Sequence, residues 1–311
     1  MRVFIAGATG AIGSRLVPLL VAAGHEVVGT SRTSERLAGI EREGVTGVVM
    51  DALDAASVRT AVLAARPDVI VHELTGLSAM TGDIKHFDEE FAQTNALRTL
   101  GTDHLLAAAR EAGVGRFVAQ SYTGWPNERT GGPVKTEEDP LDPAPTPASR
   151  QSMAAIRHVE QVTTDAAGLV LRYGNLYGPG NAIGKGGEML EMVRARKLPL
   201  VGGGTGVWSF VHVEDAASAT ALAVEQGAPG TYNIVDDDPA PVSEWLPELA
   251  RIAGAKPPMR VPALVARALI GEHGVSMMTE VRGSSNAKAK RELGWEPRYP
   301  SWREGFRTGL G

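Results

Sequence analysis

The stretch GATGAIG, residues 7–13, constrains this chain more than any other. It joins a strand-like apolar run at 2–7 to a helical pattern at 14–24 that Gly24 stops, and it sets glycines at 7, 10 and 13. Glycine at a strand-to-helix turn permits a tight bend and lets the backbone come close to a bound group. The helix N-terminus beyond adds unpaired N–H donors and the positive end of a dipole. The pattern predicts a cradle for the pyrophosphate of a dinucleotide.

The same unit recurs along the first half of the chain. Strand-like runs at 25–32, 47–52, 67–74, 116–121 and 168–178 alternate with Ala-rich helical segments such as 94–112. Strands that read as near-continuous apolar runs between helices belong to a parallel sheet covered on both faces. The expected fold is a doubly wound α/β (Rossmann) sheet with a small C-terminal cap. Residues 126–147 are proline-rich and lack an apolar period, and loops of such length inside a compact domain are usually functional. Past 178 the texture changes to a Gly-rich turn at 202–206, a strand at 207–213, a helix starting near Glu214 and Asp215, and helices at 241–254 and 286–295. The expected division is a dinucleotide-binding domain at 1–178, rejoined by 207–235, and a substrate-binding cap made of 179–206 and 236–311.

Composition closes off other classes. With 311 residues, 43% hydrophobic and 22% charged, the chain can bury a sizeable core. A net charge of −5 argues against nucleic acid as a partner, and the basic cluster at 288–292 reads as a solvated helix face. Without cysteine there is no disulfide, thiol nucleophile or thiolate metal site. No His or carboxylate spacing resembles a metal ligand set, and the acidic run at 137–140 reads as loop surface. No signal-peptide pattern or membrane-length apolar run is present, so the expectation is a cytoplasmic protein with a small-molecule substrate and no membrane partner.

The cofactor form is read at the end of the second strand. An acid there would accept a hydrogen bond from a free ribose 2′-OH, whereas an arginine accommodates a 2′-phosphate. The strand ends in Thr30, Ser31 and Arg32, which favours NADP(H) over NAD(H). Asp51, followed by Ala52, is placed either to cap the next helix or to reach the adenine amino group.

Further motifs carry a family resemblance: PDVIVHELTG (67–76), TNALRTLGTDHLLAAA with Asn95, RFVAQS, LRYGNLYGPG, FVHVEDAA and AKRELGWEPRYP. Together with GATGAIG they make the chain resemble the short-chain dehydrogenase/reductase superfamily, and within it the extended NAD(P)-dependent epimerases and dehydratases. The resemblance covers nearly the whole chain. It implies cofactor contacts at Gly7, Thr9, Gly10, Ala11, Ile12 and Gly13 in the cradle, and at Ser31, Arg32, Asp51 and Ala52 beyond the next strands. It also implies Leu74, Thr75, Gly76, Asn95, Gln120, Tyr173 and Asn175 around the nicotinamide half, and a homodimer through a four-helix interface.

Catalysis in that family normally rests on a Ser or Thr with a Tyr and a Lys four residues apart on one helix. The Tyr exchanges the substrate proton while the Lys lowers the phenol pKa and holds the ribose. Taking Glu160 as the Glu that commonly follows the Lys puts Ile156 at the Lys position and Ser152 at the Tyr position. Slipping by one gives Arg157 and Met153, so no register restores the pair. Ser121 and Tyr122, at a strand end beside the expected nicotinamide, are the replacement candidates for proton transfer.

Thr123, Trp125, Lys135, Tyr177 and Trp208 are the expected substrate-pocket residues. Lys135 is the one lysine of the long loop, and enone reductases related to progesterone 5β-reductase take a lysine from the equivalent loop; otherwise it is an exposed loop side chain. Trp208 stands where nucleotide-sugar enzymes often carry an arginine for the diphosphate. Tryptophan offers a flat apolar wall with one N–H donor, which favours a smaller or more apolar substrate, unless it is simply a packing residue of the cap. His212 and Asp215 match a motif that is mainly structural, with Asp215 expected to cap the next helix. Glu73 interrupts an apolar strand, and burial would raise its pKa. The reading is an atypical NAD(P)-dependent oxidoreductase acting on a small carbonyl, alcohol or enone. Its alternatives are an epimerase or dehydratase of a sugar-like substrate, and a cofactor-binding sensor without turnover.

Overall fold

The computed structural model describes residues 1–40, 44–77 and 82–311. Its central sheet has seven strands: β1 (Arg2–Ala6), β2 (Glu26–Ser31), β3 (Val45–Val49), β4 (Val69–His72), β5 (Arg116–Tyr122), β6 (Leu169–Tyr173) and β7 (Gly230–Ile234). All pair in parallel, in the order β7-β6-β5-β4-β1-β2-β3. Order reverses at β1, whose two neighbours are β2 and β4. Open parallel sheets bind ligands at such a switch point, outside the carboxyl ends of the strands.

The helices that matter for the site are α1 (Gly13–Ala22), α2 (Ala55–Ala65), α3 (Thr102–Ala112), α4 (Arg150–Asp165) and α5 (Val213–Glu225). Side chains alternate across a strand, and β1 uses the alternation fully. Val3 and Ile5 pack with Leu16 of α1 and Ala216 of α5 on one face, while Phe4 and Ala6 pack with Val58, Leu105 and Val159 of α2, α3 and α4 on the other. This is the doubly wound α/β sheet that the strand–helix alternation predicts.

A second core lies beyond the strand ends. Trp208, Trp245, Trp302, Phe210, Phe306 and Tyr177 are buried together there. Short pairings attach this part to the sheet: Phe210–His212 beside Asn175–Tyr177, and Gly283–Ser284 beside Val134–Lys135. The latter ties down the proline-rich loop. The strand expected at 207–213 is instead two short pieces, Val207–Trp208 and Phe210–His212, which pair with different partners.

Helix α4 is clamped to the sheet by charge. Glu160 forms a two-pronged bond with Arg172 of β6, at 2.7 Å from Nε and 2.6 Å from Nη2, and accepts the Ser121 hydroxyl of β5 at 2.8 Å. All three side chains are buried. Breaking a buried pair from one side leaves an uncompensated charge. Glu160→Ala is therefore expected to cost about 3–5 kcal/mol in urea unfolding, and adding Arg172→Met in the same chain is expected to recover most of that loss.

Candidate active site

The cradle is built by backbone contact. Gly7 has φ of 99°, and a Cβ there would lie 2.9 Å from the Glu73 carbonyl carbon. A Cβ on Gly13 would lie 2.2 Å from the Gly7 carbonyl oxygen. Both positions therefore require glycine for the β1–α1 turn to sit against the chain leaving β4. Gly10 differs: it is exposed, and only one atom, the Gly7 oxygen at 3.2 Å, lies near its would-be Cβ. Neither a side-chain cap nor an acidic residue occupies the first turn of α1, so the positive end of its dipole is open to an anion, while the Ser14 and Arg15 N–H groups donate to the Gly10 and Ile12 carbonyls. Thr9 and Ala11 are half-buried beside Gly10, and Ile12 is buried beneath them. A dinucleotide pyrophosphate fits this cradle.

The other cofactor candidates line the same carboxyl edge. Arg32, one residue past β2, is exposed and has no partner among the described residues, while Ser31 is buried. Asp51 is exposed, and its Oδ1 accepts the Leu53 N–H at 3.0 Å; the cap of α2 is Asp54, leaving Asp51 outside the helix. Ala52 is buried behind it. Gln120 donates to the Leu74 carbonyl at 2.9 Å, and the Gly76 N–H donates to Thr94 Oγ1 at 3.0 Å, which fixes the segment around exposed Thr75.

Glu73 lies under the cradle, 7% exposed. Tyr173 Oη is 2.7 Å from Glu73 Oε1 and 2.6 Å from Thr220 Oγ1, and Thr220 donates to the Ala216 carbonyl at 2.7 Å. The Tyr173 hydroxyl donates to Glu73 Oε1. Burial pushes the Glu73 carboxyl up to about 8, with the Tyr173 hydrogen bond acting the other way. The Tyr173 hydroxyl is thus taken up by the core on the α5 face of the sheet.

The helix positions that would carry a Tyr and a Lys are closed. Ser152 donates to Asp88 Oδ1 at 2.7 Å and accepts from Asn95 Nδ2 at 3.0 Å. Asp88 also takes the N–H groups of Gln151 and Ser152, at 2.8 Å each, and so caps α4 from another element. Ile156 is buried in the apolar core of the cap. Of the replacement candidates, Ser121 is 1% exposed and donates to Glu160 on the α4 face. Tyr122 packs against the cap core and donates to Asn175 Oδ1 at 2.7 Å, while Asn175 Nδ2 donates to the Ser209 carbonyl at 3.0 Å. Burial raises the Tyr122 pKa, so the phenol keeps its proton.

The expected substrate-pocket residues separate. Thr123 is buried against Asn127 and Ser284, and Trp125 packs edge-on to Phe87 and His273, at 5.3 Å from each ring. Lys135 is 4% exposed and pairs with Asp139 at 3.1 Å, contrary to an exposed loop lysine, because its strand is held by Gly283–Ser284. Trp208 is buried against Trp245, with its N–H on the Met277 carbonyl at 2.8 Å. Tyr177 is buried against Phe210 and Phe306, and a Cβ on Gly305 would collide with its ring. Trp208 and Tyr177 thus pack inside the cap. Helix α5 is capped by His212, whose Nδ1 accepts the Glu214 N–H at 3.2 Å. Asp215, expected as that cap, instead accepts the N–H groups of Arg298 and Tyr299.

One residue escaped sequence reasoning. Arg98 lies in a π-helical turn, Leu97–Gly101, between Asn95 and α3. It is 5% exposed, its Nε has no hydrogen-bond partner, and its guanidinium makes no ion pair among the described residues. Burial pulls its pKa down to about 10, against the opposing influence of Glu160 and Tyr122. The available signal was a lone charge in the small and apolar run ALRTLG. π-Helical turns are frequent at functional sites.

A switch-point cradle with an open carboxyl edge and a cap above it defines a nicotinamide-dinucleotide enzyme. The NAD dependent epimerase/dehydratase family model matches residues 3–235. A 3-diazoavenalumate denitrifying reductase from Streptomyces sp. is 46% identical over 98% of this chain and 99% of its own length. A 2-alkyl-3-oxoalkanoate reductase from Stenotrophomonas maltophilia is 29% identical over 82% of this chain and 76% of its own length. Among solved structures, the UDP-glucose 4-epimerase of Thermus thermophilus in complex with NAD superposes with a TM-score of 0.72 at 26% identity, covering 100% of this chain and 98% of that one. The chain belongs to the NAD-dependent epimerase/dehydratase family. It is an oxidoreductase of the extended short-chain dehydrogenase/reductase type.

The Glu73 network makes a stability prediction. The unfolded chain releases the Glu73 proton in the ordinary carboxylate range, near pH 4.3, whereas the folded chain holds it to about 8. Stability is then full below the lower value and falls until the higher one, with a slope of up to about 1.4 kcal/mol per pH unit from this group. In urea unfolding across that window, Glu73→Gln is expected to lack this decline; an unchanged pH dependence would contradict the protonated carboxyl.

Proposed function

We propose that this enzyme delivers a hydride from NADPH to a small conjugated organic acid that carries its own leaving group, a diazo acid being the type case, without a proton from the protein. The observation that carries this reading is the closure of α4. Ser152 is held by Asp88 and Asn95, and Ile156 is sealed in the cap core, so the usual acid–base pair has no room to return. The 46% identical relative is named for reductive loss of nitrogen from a diazo acid, and the second reductase relative also bears an acid in its substrate name.

The electron and proton balance of the reaction explains the missing pair. A bound reduced nicotinamide supplies a hydride, that is, a proton with two electrons. When the acceptor is a diazonium carbon, the new C–H bond takes that electron pair, and the C–N bond breaks with its pair leaving on N2. No oxygen is reduced, so no proton is consumed. A general acid typically contributes about 10²–10⁴ in rate where a proton must move, and here none must.

In this reading the Gly7–Gly13 cradle holds the pyrophosphate, and exposed Arg32 takes the 2′-phosphate of NADPH. Leu74, Thr75 and Asn175 line the nicotinamide half. Residues 179–206 and 236–311 act as the cap that selects the substrate. Carbonyl reduction is the second reading, favoured by one observation: the Tyr122 phenol stays protonated and is aimed by Asn175.

The test uses 4-carboxybenzenediazonium and NADPH deuterated at C4. The expected product is benzoate carrying deuterium at the former C–N carbon, with N2 released in step with NADPH oxidation and above the enzyme-free rate. Product without deuterium would overturn the reading. NADPH oxidation with 3-oxo acids alone, lost in Tyr122→Phe, would establish the second one instead.

A further inference from the structure

Arg98 poses a problem that the fold does not resolve. A guanidinium carries five N–H donors and stays charged at any physiological pH, and burying it without a partner is strongly unfavourable. Its charge is felt by three neighbours. Glu160 is already bonded to both Arg172 and Ser121. His72, deep in β4, is pulled down to about 4 by burial and further by Arg98, so it is neutral. The Tyr122 pKa is raised by burial, so that group is neutral as well. Summed over Glu160, Arg172 and Arg98, this buried cluster carries one positive charge in excess.

The location is equally specific. Asn95, one turn earlier, is fixed to Ser152 at 3.0 Å, which sets the π-helical turn against the part of α4 where the resemblance would put a lysine. Asn95 Oδ1 is itself buried without a partner among the described residues.

We propose that Arg98 forms a buried anion site that holds an anionic oxygen of the substrate and makes the enzyme selective for organic acids. The proposal rests on the organic-acid reading above and names the residue responsible for it. The unpaired guanidinium is retained because the substrate supplies the missing negative charge, and a charge-assisted bond of this kind is short and strong. Hydride delivery then acts on a molecule already anchored by one end.

The test is a binding experiment, independent of turnover. Cinnamate and cinnamamide, alike in shape and different in charge, are titrated against the NADP+-loaded enzyme by quenching of tryptophan fluorescence. 4-Nitrophenolate serves as the phenolate arm. The wild type is expected to prefer cinnamate over cinnamamide by about tenfold or more. Arg98→Met is expected to abolish that preference while NADP+ affinity and thermal midpoint are unchanged or improved, and Arg98→Lys is expected to keep part of it. Arg98-dependent binding of 4-nitrophenolate with none of cinnamate assigns the site to phenolates. A preference that survives in Arg98→Met, or a variant that loses folding and cofactor binding together while Arg98→Lys restores only stability, overturns the proposal. Because no hydride moves, failure here leaves the deuterium-transfer result intact, and failure of hydride transfer leaves this one intact.

Discussion

Everything distinctive about this site depends on where Glu160 puts its two oxygens. Its carboxylate bridges α4 to β6 through Arg172 and to β5 through Ser121, inside the sheet–helix layer. That clamp fixes the rotation of α4 on the sheet, and with it the direction faced by each residue one and two turns earlier. Ser152 is turned toward Asp88 and Asn95, and Ile156 toward the cap core. The clamp also commits Glu160 to Arg172 and Ser121, and Arg98 makes no ion pair among the described residues. Two features that look unrelated in the sequence thus share one cause: an inert catalytic helix and a strand serine facing away from the cap.

The consequence is a division of labour unlike the family's usual one. The sheet edge and cradle keep the form needed for a dinucleotide, with Gly7 and Gly13 required by backbone approach and Gly10 left open. What has gone is the means of handling a proton on the catalytic helix. A reductase can lose that means without losing its reaction if the acceptor does not need a proton, and in the proposed reading a substrate that expels N2 meets that condition. Kinship with a reductase of a diazo acid is consistent with this. In the cap core Trp245 packs edge-on to Phe210 and tilted against Trp208, and Trp302 packs tilted against Phe210.

The sheet was legible because its strands are buried on both faces and read as nearly unbroken apolar runs, as in VFIA and VIVH. The cradle was legible because close backbone approach leaves glycine no substitute. The vacancy in α4 could be seen too, since Glu160 set the register. The cap was less legible: whether Trp208 faces a ligand or Trp245 depends on which distant helix covers it. Lys135 was misjudged for the same reason, as the strand that buries it lies far along the chain at Gly283–Ser284. His212 and Asp215 exchanged expected roles because both types cap helices, and only the C-terminal segment decides which is free to do so. Arg98 was invisible, since a sequence displays a charge but not the absence of a partner for it.

Hydride transfer without proton donation from the protein is the central claim, and one comparison tests it most directly. Single-turnover hydride transfer to an arenediazonium acid is measured in H2O and in D2O across neutral pH. A rate ratio near unity that does not change with pH is the predicted result. A ratio well above unity, or a rate that falls with the loss of a titrating proton and collapses in Tyr122→Phe, would show that a protein proton moves in the transition state and would contradict it.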